Sequence, residues 1–317
     1  MTGPATGPAS GPASGPVTGP VTGPATSFAA RLRGQPAVLM APGRRLVPRT
    51  PLFERIAVGV ALFMVLIAII GPYLAPHNPY LVNEAQTLAP PSAAHWFGTD
   101  VNGRDVLSRV LTGARASLLA TFIVLAATTV IGIIVGTAAA LGGKVADEVL
   151  MRICDVGLAL PPIVLALALA AALGPSLQSA VIAMVATWWP GYARLVRTVV
   201  RETRDAEFVE SARMLGVSQW RLIRKHILPN SLSIMYVQVT LDVAAVMLTI
   251  SGLSFVGVGA QVPSAEWGAM IAAAANNIQN GWWALVFPGL AIAITAFAFN
   301  IAGDWLRVRF DPTLRGR

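Results

Sequence analysis

The sequence predicts an all-α integral membrane protein of about six transmembrane helices, with both termini in the cytoplasm. Three observations carry that expectation. First, 55% of the 317 residues are hydrophobic and only 12% are charged, whereas soluble domains carry about a quarter charged residues. Second, the apolar residues gather in segments close to the ~20 residues that a helix needs to cross a bilayer. Third, basic residues flank those segments instead of forming one solvated patch. The net charge of +8 therefore reads as membrane orientation, not as a nucleic-acid surface. Cys154 is the only cysteine, which excludes an intrachain disulfide and a cysteine zinc cluster.

The chain opens on a tetrapeptide repeat of the form Thr/Ser-Gly-Pro-Ala/Val, from Thr2 to about Thr26. Glycine falls at every fourth position (Gly3, Gly7, Gly11, Gly15), so a collagen helix, with glycine at every third, is excluded. A stretch of Gly and Pro without large side chains cannot bury a core, and residues 1–50 are expected to be a disordered tail that ends in a basic cytoplasmic segment. The basic start and apolar core of a cleavable signal are not visible there.

The first apolar span is Ile56–Leu74, followed by prolines at Pro76 and Pro79. Others run over about Ala116–Leu141, Val156–Leu173, Leu177–Val196, Leu232–Val256 and Trp283–Ala302. Basic residues precede the first span, from Arg31 to Arg55, and lie between the fourth and fifth, from Arg194 to Lys225. More follow the sixth, from Arg307 to Arg317. An even number of spans puts all three groups on one side, and the positive-inside rule makes that side the cytoplasm. The expected divisions are a first helix at 51–76, an extracytoplasmic loop at 77–114, a core at 115–305 and a tail at 306–317. Arg104, Arg109 and Arg115 in the outer loop run against the rule locally and are partly offset by Glu84, Asp100 and Asp105. Trp188, Trp189, Trp282 and Trp283 are expected near the outer interface. Gly132 and Gly136 form a GxxxG pattern suited to close helix approach. Pro190 and Pro288 are expected to kink their spans.

Between the fourth and fifth spans the chain turns polar, reading EFVESARMLGVSQWRLIRKHILPN from Glu207 to Asn230. A first short helix is expected to stop at Gly216, since glycine readily takes a left-handed cap. Ser218 would cap a second helix, Gln219 to about His226, which Pro229 would end. The string resembles a DNA-binding helix-turn-helix. Both helices are tethered within a few residues of the membrane, so a recognition helix could hardly reach a major groove, and no nucleic-acid partner is expected.

The same segment resembles the EAA motif of the permease subunits of bacterial ABC importers, patterned EAA-x3-G-x9-I-x-LP. Glu210, Ser211, Ala212, Gly216, Leu228 and Pro229 fall in register, with Val217 beside them. Ser211 replaces an alanine, and His226 stands where isoleucine is usual, with Ile227 next to it. The outer segment HWFGTDVNGRDVLSRVLTGARASL and the exit LDVAAVMLTISGLSFVGVGAQVPSAEWGAM are similar to the C-type permease of dipeptide, oligopeptide and nickel importers. The resemblance runs from about Leu52 to Thr313. It implies a MetI-like type I importer fold, with residues 205–229 as the coupling loop that fits a groove on the ATPase. It also implies a second homologous permease subunit, two ATPase subunits that bind ATP and Mg2+, and an extracytoplasmic substrate-binding protein. The cargo is di- or oligopeptides, with nickel chelates, haem or another small solute as the alternative. This chain itself lacks G-x4-G-K-[ST], because Gly143-Lys144 is followed by Val145. It is therefore expected to hold no cofactor and to hydrolyse nothing.

Asp242 lies within the fifth span, where an ionisable group costs about 2.5–3.5 kcal/mol to insert and must face protein or water. It is read either as part of a substrate path, meeting a peptide ammonium, or as a satisfied contact between helices. Gln238 and Asn300 carry the same alternatives. Asp100-Val-Asn-Gly-Arg-Asp105 fails as a calcium loop, since Gly103 is at the fourth position and the closing glutamate is missing. A capped helix is expected instead, with Asp105 and Arg109 paired one turn apart, and with Asp100, Arg104, Asp105 and Arg109 either contacting the binding protein or shaping the outer mouth. Glu266 with Trp267 is expected to fold the exit loop back. His77, His95 and His226 lie in different loops without metal-ligand spacing, so no metal site is expected.

Overall fold

Lipid offers no hydrogen bonds to a bare backbone, so a spanning segment must satisfy its own amides and carbonyls. The computed structural model of the chain describes residues 51–310 and meets that demand with helices. The repeat tail and basic segment at 1–50, and the last seven residues, lie outside the described residues. Among the described residues there is no strand, only an isolated bridge between Thr99 and Asp105.

Helix α1 is Pro51–Leu74, α2 is Val106–Leu141, α3 is Gly143–Leu158 and α4 is Pro162–Leu173. Then come α5, Leu177–Arg204, and α6, Glu207–Met214. The short α7, Gln219–Leu222, runs through a π turn at Ile223–Ile227 into α8, Leu228–Phe255. Helices α9, Trp267–Ala274, and α10, Ile278–Gly281, lead into α11, Trp283–Phe310.

Among the described residues, four helical stretches are long and apolar enough to cross a membrane: Leu52–Leu74, Val106–Leu141, Met235–Phe255 and Trp283–Leu306. The expected third span, Val156–Leu173, is corrected. It is not one helix but the end of α3 and all of α4, bent by 82°. The cause is the tandem Pro161-Pro162. Neither proline can donate to a helical ladder, and Leu160 before them is driven away from helical angles. At about 1.5 Å per residue, the 12 residues of α4 rise about 18 Å, short of the ~30 Å hydrocarbon core. Helix α5, with 28 residues, is long enough at about 42 Å. Trp188, Trp189, Pro190, Tyr192 and Arg194 make it more polar than the other four.

Helix α2 is the centre of the bundle. It packs along α5 most extensively, and also against α1, α8, α9 and α11. The reason is written in its small residues, since Gly113, Ala114, Ser117, Ala120, Thr121, Gly132, Gly136 and Ala140 are all buried. The GxxxG pair is a true seam: a Cβ added at Gly132 would lie 2.5 Å from Tyr192 Cβ. One added at Gly136 would fall on the Ala193 carbonyl and lie 2.7 Å from Val196 Cβ. Buried hydroxyls bond back into their own helices, as Thr128 Oγ1 does to the Val124 carbonyl at 2.8 Å and Thr187 Oγ1 to Ala183 at 3.0 Å. Those two are satisfied within the helix, whereas Thr112, Thr129 and Thr137 Oγ1 on α2 are buried with no hydrogen-bond partner among the described residues. Helix α1 is peripheral: Leu52, Phe53, Ile56, Leu62, Phe63, Leu66 and Ile69 are exposed, as befits a lipid-facing surface.

Filling the seam should separate α2 from α5. Gly136→Leu is expected to destabilise the solubilised chain by about 1–3 kcal/mol, the range for overpacking. Gly59→Leu, whose site has no atom within 4 Å, should leave the melting temperature unchanged; thermal unfolding in detergent compares the two.

Candidate functional site: a two-faced peg, a polar cavity and a loop clasp

Residues 207–229 form a short two-faced element. Glu207 and Glu210 in the first turn of α6 complement the positive end of its dipole. The helix stops in a Schellman cap: Gly216 N donates to the Arg213 carbonyl at 3.0 Å, and Val217 N to Ala212 at 3.2 Å. That cap needs a left-handed residue, and Gly216 has φ +78°. Val217 and Ala212 are partly buried against the core. Val209 and Leu222 are fully buried, and Ile227 nearly so, which ties the element to the end of α5 and the start of α8. On the other side Met214 is 85% and Leu215 84% exposed, and Phe208 is half exposed. Glu210 and Ser211 are also exposed.

The second helix is shorter than expected, and the role given to Pro229 is corrected. Leu222 N closes the first turn on the Ser218 carbonyl at 3.0 Å, but regular α geometry ends at Leu222. Pro229 does not end a helix here; it lies in the first turn of α8, after Leu228. Without an N–H it cannot bond the Lys225 carbonyl, and the ladder before it widens into the π turn.

A polar cluster sits between α5 and α8. Tyr192 Oη donates to Asp242 Oδ2 at 2.7 Å, and Gln238 Nε2 lies 3.1 Å from both carboxylate oxygens. These groups line a cavity of about 330 Å3 with Leu158, Pro162, Thr187 and Trp188. Asn300, expected beside Asp242 and Gln238, is exposed on α11 and does not line this cavity. Sequence reasoning missed Tyr192, because only the register of α5 against α8 reveals it. It also missed Asp147, which accepts from two of the Arg197 guanidinium nitrogens, Nε and Nη2, and lies 2.8 Å from Arg201.

The outer loop is a clasp of buried charge. Asp100 Oδ1 accepts from the amides of Asn102 and Arg104 at 2.8 and 3.0 Å, and Oδ2 from Arg104 Nε at 2.7 Å. The turn is tight enough that a Cβ on Gly103 would overlap the Asn83 carbonyl. The expected Asp105–Arg109 pair is contradicted. Arg109 Nε lies 3.3 Å from Asp100 Oδ2, at ion-pair distance but without hydrogen-bond alignment. Its terminal nitrogens donate to the carbonyls of Pro79 at 2.9 Å and Ser264 at 2.8 Å, so it joins two loops far apart in sequence. Asp105 instead caps α2, with Oδ2 accepting from Ser108 N at 2.8 Å and Oγ at 2.6 Å. Its other oxygen faces His95 Nδ1 at 2.9 Å.

The expectation that the histidines are scattered is likewise corrected for two of them. His77 and His95 stand side by side next to Asp105, with their donor atoms within 4.8 Å of one another. Loop spacing hid this, since the pairing is made by α1 returning the chain to the start of α2. Glu266 caps α9 through Gly268 N and Ala269 N, both at 2.9 Å, and also receives Ser117 Oγ at 3.2 Å. Trp267 Nε1 donates to the Val110 carbonyl and Trp283 Nε1 to that of Thr99, each at 2.9 Å. The exit loop is thus folded back onto α2.

Residues 128–316 match the family described as "Binding-protein-dependent transport system inner membrane component". The chain belongs to that family. Residues 55–91 of this permease also match the N-terminal transmembrane domain of oligopeptide transport permease C. The permease is 44% identical over 287 residues to the probable D,D-dipeptide transport system permease protein DdpC of Escherichia coli (strain K12), covering 90% of this chain and 94% of that one. It is 40% identical over 257 residues to the dipeptide transport system permease protein DppC of Bacillus subtilis (strain 168), covering 81% and 80%. A solved structure titled as inward-facing conformations of the MetNI methionine ABC transporter matches the fold with a TM-score of 0.50 at 19% identity. That match covers 63% of this chain and 95% of that one. The permease is a multi-pass membrane protein of the inner-membrane component type.

The clasp and the surface pairs should differ sharply on mutation. Asp100→Ala strands two buried guanidinium groups and is expected to destabilise the permease by about 3 kcal/mol or more. Asp155→Ala removes only the exposed pair with Arg194 and should cost less than about 1 kcal/mol. Unfolding of each purified variant checks both.

Proposed function

We propose that this permease is one half of the pore of an ATP-driven importer of di- and oligopeptides. A second homologous permease subunit completes the pore, and an extracytoplasmic binding protein delivers cargo. Two ATPase subunits bind ATP and Mg2+ and grip residues 207–229 from the cytoplasm. Both termini of this chain then lie on the cytoplasmic side, with the bent α3–α4 pair making one of six crossings together, and catalysis stays with the ATPases.

One observation carries the coupling reading. The element at 207–229 is pinned to the bundle through Val209, Leu222 and Ile227 and turns Met214 and Leu215 outward. Exposed apolar tips on a rigid, capped support suit a groove on a soluble partner. Because the element packs on the ends of α5 and α8, a push on it reaches the two helices that carry Tyr192, Gln238 and Asp242. Two arrangements of this unit would let nucleotide binding bias the pore. The peptide assignment is supported by the names of the relatives. A carboxylate facing a cavity suits the ammonium group of a peptide, so Asp242 and Gln238 are placed on its path, with Asn300 outside the cavity.

Proteoliposomes holding the complete complex and its binding protein test this. ATP-dependent uptake of a labelled dipeptide is expected, and excess unlabelled dipeptide should compete while a nickel chelate should not. Leu215→Asp is expected to cut uptake at least tenfold with the complex still assembled on size-exclusion. Asp242→Asn should lower uptake and leave ATPase assembly intact. Full uptake by Leu215→Asp would overturn the coupling reading, and competition by nickel alone would overturn the cargo.

A further inference from the structure

The outer loop gathers three side chains that transport does not use. His77 follows α1, His95 lies in the loop, and Asp105 caps α2. One donor atom of each falls within a 4.8 Å group. His95 Nδ1 is 2.9 Å and His77 Nδ1 3.8 Å from the same oxygen, Asp105 Oδ1. The two rings stand 4.8 Å apart, tilted by 40°.

Both ring nitrogens of His95 are held by neighbours. Its Nε2 lies 3.0 Å from Gln86 Oε1, which also accepts from Asn83 Nδ2 at 3.2 Å. Its Nδ1 faces a carboxylate oxygen. A metal ion would use one donor atom from each of His77, His95 and Asp105. The surroundings hold those donors in place. Asp105 Oδ2 is occupied by Ser108 N and Oγ, which leaves Oδ1 as a single ligand atom. The His77 amide donates to the same Ser108 Oγ at 3.0 Å. Gln86 and Ser108 are the kind of outer partners that orient metal ligands.

We infer that His77, His95 and Asp105 bind a divalent transition-metal ion of the Zn2+ class. Two imidazoles and one carboxylate suit zinc, while calcium and magnesium require more oxygen ligands. Zinc bonds of about 2.0–2.2 Å at tetrahedral angles set ligand atoms ~3.3 Å apart. That lies between the two distances to Asp105 Oδ1, 2.9 and 3.8 Å, and the whole donor set lies within 4.8 Å, so binding draws the two imidazoles together around the ion. His77 and Asp105 also line a cavity of about 690 Å3 with Leu74, Trp96 and Phe97, which has room for a water as fourth ligand. The ion would staple the outer end of the peripheral α1 to the capped start of α2. This role is independent of the cargo.

The test uses the full chain purified with its affinity tag removed. Zinc content is measured by mass spectrometry, Co2+ is titrated in as a spectroscopic stand-in, and melting is followed with Zn2+ or with a chelator. The expected results are one Zn2+ per chain, tetrahedral-type Co2+ absorption bands and a lower Tm on chelation. His77→Ala should weaken binding at least tenfold and abolish the Tm response while eluting as folded chain, because its main-chain bond to Ser108 survives. His95→Ala should do the same. Wild-type protein that retains no metal, gives no Co2+ bands or melts identically with chelator would overturn the site. So would equal binding by His77→Ala. Uptake of peptide is a separate readout, so failure here and failure of the transport reading are distinguishable.

Discussion

The close approach of α2 and α5 at Gly132 and Gly136 is the constraint on which the rest of the molecule depends. In lipid, apolar side chains gain nothing by leaving a medium as apolar as themselves, so helix association must come from packing at short range. The glycines bring α2 onto the backbone of Tyr192, Ala193 and Val196. That contact sets the rotation of α5, and rotation decides what α5 presents elsewhere. Tyr192 is carried toward Asp242 on α8, and Arg197 and Arg201 toward Asp147 on α3. The end of α5 then leads directly into the two-faced peg at 207–229.

Seen along α2, the two sides of the membrane are joined by one rigid body. Its start is fixed by the Asp105 cap, and its outer third holds Glu266 and Trp267 through Ser117 and Val110. Buried charges are costly in such a place unless each is paired and hydrogen-bonded. Asp100 bonds Arg104 and pairs with Arg109, whose terminal nitrogens reach the carbonyls of two loops while its Nε is left without a hydrogen bond. The loop clasp is therefore tightly braced, while the peg at 207–229 stands on helix ends and a π turn. Irregular backbone is confined to the Pro161-Pro162 bend, the π turn and the loops.

Much of this was legible in the sequence. Glycine at every fourth residue of a span foretold the seam, and a single glycine in a polar segment foretold the cap at Gly216. The membrane class followed from composition, and the permease family from the spacing around Glu210 and Gly216. What escaped was of two kinds. Local chemistry was underweighted at Pro161-Pro162, where hydropathy argued for one span and ring sterics for two helices. Pro229 was read as a stop when it also fits the start of a helix. The other failures were tertiary. Arg109 had two carboxylates within reach in sequence, and only the loop geometry gives it to Asp100 and leaves Asp105 to the helix amides and His95. His77 and His95, 18 positions apart, meet because α1 and α2 place them together, which no spacing rule contains.

The central claim is that a cytoplasmic motor works the pore through the tip at Met214 and Leu215. It is tested most directly by the sidedness and shielding of that tip. Leu215→Cys, in a Cys154→Ser chain, is probed with a membrane-impermeant maleimide in intact cells and in inverted vesicles, with and without the ATPase subunits. The account predicts no labelling of intact cells, rapid labelling of inverted vesicles stripped of ATPase, and protection when the ATPases are present. Labelling from outside intact cells, or equal labelling with and without ATPase, would contradict it.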